Sequence, residues 1–271
     1  MCIRDSHKIL VTVTDEGGAT ATAVGIAGGK EDPLPPGTAG TDNQLFLAEV
    51  YHDLLHREID PLGLSVWGSL LDAGMSRPAV VAMIEDSPVS RNGQPNGIPE
   101  YRRVQVNDLF LQYLHRNADP QGLEYFSGLL EAGDTVEQVT ALIVSSPEYI
   151  QDNGGTPTGF VQGLFRDALA TPLDAATANA SLYGQALAGG QTPAQVATFL
   201  FAQNGYHQAL VLGYYQKYLD RGVTSLDEVA FWTNMLNQGM RDEAVIALFV
   251  GGDTAMNLSN EFFNKTASNP I

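Results

Sequence analysis

Two histidines four residues apart, in the run His52-Asp53-Leu54-Leu55-His56, would share one face of a helix and could hold a metal ion. The string echoes the zinc-protease pattern, but aspartate stands where glutamate is needed, and a side chain one carbon shorter misplaces the general base. His56 recurs as His115, whereas the positions matching His52 are Leu111 and Gln216. No third ligand follows at a recognisable spacing, so the expectation is partly exposed helix histidines and no zinc site.

Arg57, Arg116 and Arg221 follow His56, His115 and Asp220 at the end of a helical stretch. Each guanidinium is expected to bond terminal helix carbonyls or a carboxylate such as Asp60 or Asp119. The alternative is a cation lining a groove for an acidic or sugar ligand. The rings Trp67, Phe126, Tyr183 and Trp232 could stack on sugars, but their helical spacing beside leucines points to core packing. If Trp67 is buried, Trp67→Ala should cost roughly 3–5 kcal/mol. The cluster Tyr214, Tyr215 and Tyr218 looks exposed and makes Tyr214 a ligand candidate, although two of the three match core positions elsewhere.

Other chemistries are less well supplied. Asp152-Asn153-Gly154-Gly155 and Gly251-Gly252-Asp253 lack the alternating acids of a calcium loop, so no cofactor is expected and calcium has no motif behind it. Gly-x-Ser-x-Gly and phosphate-loop motifs are missing from the sequence, and the one cysteine, Cys2, lies outside any helical segment. No catalytic residue is assigned.

The elements that would position these groups are helices. The chain has 271 residues and 44% hydrophobic content, enough for one large core or two modest ones. Acidic residues outnumber basic ones by 31 to 14, and a net charge of −17 repels phosphate backbones and anionic lipid surfaces. Nucleic acid is therefore not an expected partner. No apolar run approaches the roughly 18 residues of a membrane-spanning helix, so membrane insertion is not expected either.

From Asn43 onward a unit repeats four times. Trp67, Phe126, Tyr183 and Trp232 each lie seven residues before a glycine, at Gly74, Gly133, Gly190 and Gly239, and a valine stands six residues past each glycine. Each unit reads as three helices. The first carries an apolar stripe such as Leu47, Val50, Tyr51 and Leu54, or Val211, Tyr214, Tyr215 and Tyr218. The second opens on Asp60-Pro61, on Asp119-Pro120 or on Ser225 with Glu228, where a short oxygen-bearing side chain caps free amides. Its seam is Leu64, Trp67 and Leu71, matched in the third unit by Ala180, Tyr183 and Leu187. The glycine ends it in a left-handed conformation. The third helix opens at Ser76, Thr135 or Thr192, while Arg241 departs from that pattern in the fourth unit. Ser87-Pro88 and Ser146-Pro147 read as stops after the third helix.

The runs Asp60-Pro61-Leu62-Gly63 and Asp119-Pro120-Gln121-Gly122, with Leu-His-Arg before each, and Ser146-Pro147-Glu148-Tyr149 resemble the bacterial domain of unknown function 4214 family in tandem copies. The resemblance covers about residues 43–260 and weakens in the third unit, which lacks the Asp-Pro-x-Gly run and the arginine. It implies an all-α module appended to secreted or surface proteins, with no established activity. Tyr101-Arg102-Arg103 and the helix pattern also resemble phycobilisome linker domains, a likeness that suggests the fold only.

Before the helices, Ile9, Val11 and Val13 alternate up to Asp15-Glu16-Gly17-Gly18, and Ala19 to Val24 follow, reading as one β-hairpin. It resembles the last strands of an immunoglobulin-like or cadherin-like surface repeat, behind a leader at residues 1–6 that reads as non-native. The expected fold is mainly α: a β remnant at 1–27, a linker at 28–42, helical modules at 43–154 and 155–265 divided near Gly154-Gly155-Thr156-Pro157, and a tail at 266–271. Residues 91–99 should form a loop between the first two units. The expected function is a non-enzymatic interaction or spacer module at the C-terminal end of a secreted or cell-surface bacterial protein, meeting surface polysaccharide or another surface protein. The alternative is the noncatalytic accessory tail of an exported hydrolase or protease. The sequence sets neither the oligomeric state nor the ligand.

Overall fold

The computed structural model describes residues 8–14, 20–26, 34–87, 97–219, 222–223 and 225–252. Among them the protein is mainly helical. Strands β1 (Lys8–Thr14) and β2 (Thr20–Ile26) pair antiparallel with Val11 opposite Ala23. The hairpin turn at Asp15 to Gly18, Cys2, the linker before Leu34, the loop at residues 91–96, Asp220, Arg221, Asp253 and the tail lie outside the described residues. No helix among those described is long and apolar enough to cross a membrane.

Fourteen helices follow among the described residues, and their boundaries come from local chemistry. Repeat one holds α1 (Asp42–Leu55), α2 (Pro61–Asp72) and α3 (Arg77–Glu85). Repeat two holds α4 (Glu100–Leu114), α5 (Pro120–Glu131) and α6 (Val136–Val144), and is followed by a short helix α7 (Pro147–Asp152). Repeat three holds α8 (Pro157–Leu169), then α9 (Ala175–Ala180) and α10 (Leu182–Ala188) in place of one helix, then α11 (Pro193–Phe201). Repeat four holds α12 (Asn204–Leu219), α13 (Leu226–Asn237) and α14 (Asp242–Gly251).

Asp60 and Asp119 accept from the backbone amides of Gly63 and Gly122 at 2.8 and 2.9 Å, each with proline at the first helical position. Thr41, Thr135 and Thr192 form reciprocal capping boxes with Gln44, Gln138 and Gln195. Gly74, Gly133, Gly190 and Gly239 stop the ring-bearing helices at φ of 92°, 108°, 94° and 88°, a region that costs other residues about 1–2 kcal/mol. Ser146 does not act only as a stop. Its side chain accepts from Tyr149 N at 3.3 Å and Pro147 takes the first position of α7, so the Ser-Pro pair starts a helix.

Two compact units result, residues 1–81 with 247–271, and residues 82–246. The expected division at 154/155 is absent, because one continuous core runs from Val106 to Tyr206, through repeats two and three and into the first turn of α12. Its keystone is Tyr149 of α7, fully buried, whose ring meets Tyr113 at 6.3 Å and Phe160 edge-on at 6.1 Å. The third helices of the two repeats, α6 and α11, pack on each other inside the same unit. Gly154-Gly155 is thus an exposed turn inside one compact unit and not a boundary between two. In the other compact unit Gly251 packs on the backbone of Arg77 and Pro78, where a Cβ would find no room.

Candidate functional site

Repeats one, two and three each join their first and second helices through a pair of rings. Trp67 Nε1 donates to the Tyr51 hydroxyl at 2.8 Å, Phe110 meets Phe126 edge-on at 5.6 Å, and Phe165 meets Tyr183 edge-on at 5.2 Å. Tyr215 and Trp232 occupy the same positions in repeat four, both buried. The glycine of Asp-Pro-x-Gly makes room for the first ring: a Cβ on Gly63 would lie 3.0 Å from Tyr51 Cζ, and one on Gly122 would lie 3.3 Å from Phe110 Cζ.

Five residues after the first-helix ring the chain turns left-handed without glycine, at His56, His115 and Ala170, with φ of 52°, 54° and 49°. His56 is therefore the residue that ends α1, and it does not share a helical face with His52 in the way a zinc pair requires. The arginine that follows folds back over the ring. Arg57 lies 4.8 Å above Tyr51 and bonds Asp60 Oδ2 at 3.2 Å and the Glu58 carbonyl at 3.1 Å. Arg116 lies 5.1 Å above Phe110, grips Glu148 through two bonds of 2.5 and 2.7 Å, and sits 3.7 Å from Asp119. This contact raises the Arg116 pKa and lowers that of Glu148. Both cations are thus engaged within the chain, each on a carboxylate and a backbone carbonyl.

Three expectations need correction. Tyr214 is buried, as are Tyr215 and Tyr218, because α12 carries apolar contacts on more than one face; its hydroxyl bonds the Asp242 carboxyl, so it is not an exposed platform. The four ring positions are not one buried series: Trp232 is 1% exposed, whereas Trp67, Phe126 and Tyr183 are half-buried. In repeat three Ala178 is buried and Ala180 exposed, because two extra residues separate the cap from the ring. That cap is Asp174, four residues past Ala170, which accepts from Thr177 N at 2.6 Å and does the work of Asp60 and Asp119 without their proline.

The periodicity also gave no sign of a buried ionic group in the unit formed by residues 82–246. Glu85, Arg102, Asp242 and Glu243 are all buried, and Arg102 donates to Glu243, to Gln105 at 3.2 Å and to Asp86 at 3.4 Å. Burial, then the neighbouring Glu243 carboxylate, push Glu85 up to about 9. Burial and Glu137 likewise hold Asp242 well above the carboxylate range. Burial pushes Glu243 the same way, but the guanidiniums of Arg241 and Arg102 outweigh it and hold it low. Arg241, the residue that departs from the cap pattern, donates to the carbonyls of Gly133 and Asp134 at 3.1 and 3.3 Å and so ties repeat four to the end of α5.

The extra residues in repeat three have a second effect. The ring-bearing helix breaks at Ser181, which closes α9 and caps α10 by accepting from Gly184 N at 3.1 Å. Beside the break a groove of about 320 Å³ opens, lined by Leu182, Tyr183, Ala186, Gln191, Gln195, Val196 and Phe199. Its volume falls at the lower end of small-ligand sites, about 300–1,000 Å³. Leu182 is 61% and Phe199 46% exposed, and the Tyr183 and Phe199 rings stand 6.0 Å apart at 53°. Among the described residues no group of three or more His, Cys, Asp or Glu side chains is arranged to hold a metal ion. In the Asp152-Asn153-Gly154-Gly155 turn, Asn153 Oδ1 accepts from Arg166 at 3.1 Å and its amide bonds the Tyr149 carbonyl.

Comparison of the chain with protein-family models, with curated proteins and with solved structures finds no match in any of the three.

Proposed function

We propose that this chain is a non-enzymatic interaction or spacer module of a secreted or cell-surface bacterial protein, meeting surface polysaccharide or another surface protein. The observation that supports the reading is how the recurring charged groups are used. Arg57 and Arg116, the repeated cations best placed to take a ligand, stack on a ring and bind a carboxylate of their own repeat or of the helix that follows it. Chemistry repeated along the chain therefore builds scaffold, and the open groove of repeat three is the feature that departs from it.

The test is the melting temperature of the full 271-residue chain with chelator, with calcium and with a panel of bacterial polysaccharides, alongside an assay for polysaccharide cleavage. A ligand at 100 times its Kd stabilises the native state by about 2.7 kcal/mol, a rise of a few degrees. A rise with unaltered polysaccharide is expected. Shortened chains or new reducing ends would overturn the non-enzymatic reading.

A further inference from the structure

The geometry points to the groove of repeat three as a binding site for one neutral pyranose unit of a polysaccharide, a reading that rests on the proposed interaction role and gives it an address. None of the seven lining residues carries a charge near neutral pH. What they present is two non-parallel rings and two primary amides, each amide offering both a donor and an acceptor. A pyranose has the matching surface, an apolar ring face to lie on Tyr183 or Phe199 and hydroxyls at its edge.

The turn between α10 and α11 places both glutamines and fixes the amide group of one. Gly190 takes the left-handed conformation, and the backbone N–H of Gln191 donates to the Ala186 carbonyl at 3.0 Å, which sets where its side chain leaves the main chain. Gln195 Oε1 accepts from Thr192 N at 2.9 Å, so its NH₂ group is aimed before any ligand arrives. Such preorganisation reduces the ordering cost of binding.

The other repeats act as internal controls. The positions matching Gln191, Gln195 and Phe199 are Asp134, Gln138 and Leu142 in repeat two, Met75, Ala79 and Met83 in repeat one, and Met240, Ala244 and Leu248 in repeat four. Two rings with two amides occur together only in repeat three. Other occupants fit less well. The main-chain groups of α10 and α11 are engaged in helical bonds and offer no edge to an extended peptide. A second copy of the chain would bring a further −17 of like charge to a groove with no cation in its lining.

The experiment is ¹H–¹⁵N NMR titration of the full chain with cellohexaose, maltohexaose and chitohexaose, with an alginate hexamer as the polyanionic arm. At least one neutral hexamer should shift the side-chain amides of Gln191 and Gln195. Tyr183→Ala and Gln191→Leu, which leave the caps intact, should each weaken that binding about tenfold, equivalent to about 1.4 kcal/mol. Tyr125→Ala, an exposed ring of repeat two, should leave it unchanged. No response to any neutral hexamer, a preference for alginate, or shifts indifferent to Tyr183→Ala would overturn the assignment. Shifts confined to another repeat would end it while leaving the interaction-module reading in place.

Discussion

The indole of Trp67 donates to the hydroxyl of Tyr51 across 16 residues, and Phe110 meets Phe126 over the same interval. One position pair is thus filled by a hydrogen bond in repeat one and by an edge-on contact in repeat two. A double-mutant cycle of Trp67→Phe and Tyr51→Phe should give a coupling of about 1 kcal/mol, the net worth of one such bond. A coupling near zero by denaturant titration would mean that the bond contributes nothing to stability.

The unequal burial of the ring positions sets an order of costs. Trp232→Ala should lose about 3–5 kcal/mol, because the whole side chain leaves a closed core. Tyr183→Ala should lose only about 1–2 kcal/mol, since that side chain is only partly buried. Equal losses in chemical denaturation would contradict this placement of the two rings.

Ala170 holds a left-handed backbone with φ of 49° at the end of α8, where the corresponding residues of repeats one and two are histidines. Glycine removes the Cβ that makes this conformation costly, so Ala170→Gly should stabilise the protein by about 1 kcal/mol. The same change at Ala178, inside α9 and fully buried, should destabilise it. Melting temperatures that move together for both variants would show that the left-handed turn is not the cause.

The Glu85 carboxyl titrates near 9 in the folded chain, against an ordinary value of 4.5. A group raised in this way favours the folded state fully below pH 4.5, and that contribution falls as pH rises towards 9. Between those limits the slope is about 1.4 kcal/mol per pH unit, or roughly 3 kcal/mol lost by pH 7. Glu243 is held low and acts with the opposite sign, its contribution present above pH 4.5 and lost in acid. Glu85→Gln should therefore raise stability at pH 8 more than at pH 5. An equal effect at both would place an ionised Glu85 in the folded protein.

Arg116 binds Glu148 with two parallel bonds, a geometry that lysine cannot reproduce. Arg116→Lys should cost no more than about 1 kcal/mol, because the pair is partly solvated. It should leave binding of any neutral oligosaccharide unchanged. Lost binding with unchanged stability would reverse the structural reading of this arginine.

Caps and stops were legible in the sequence because they are settled within three or four residues: Asp60 needs only the amide of Gly63, and Gly74 only its own backbone. Asp174 was missed because it comes without proline and with two extra residues before its ring. Tyr214 was misread because the stripe of α12 could not show that a second face is also covered. Gly154-Gly155 shows where the chain turns, and a turn says nothing about which side chains share a core; Tyr149 and Phe160 on either side of it do share one. Glu85 and Asp242-Glu243 stand at a helix end and a helix start, where acids are ordinarily solvated, so only the tertiary structure reveals their burial.

The packing of α6 against α11 governs how the chain can be divided. A fragment ending at Asn153 would keep every cap of repeat two and yet bare Val139, Ile143 and Tyr149, all sealed in the intact protein. Such a half should aggregate or bind hydrophobic dyes. Within the second compact unit, the shortest piece able to close that shared core runs from α4 through the first turn of α12, and brief protease treatment should find the Gly154-Gly155 peptide bonds no easier to reach than their neighbours.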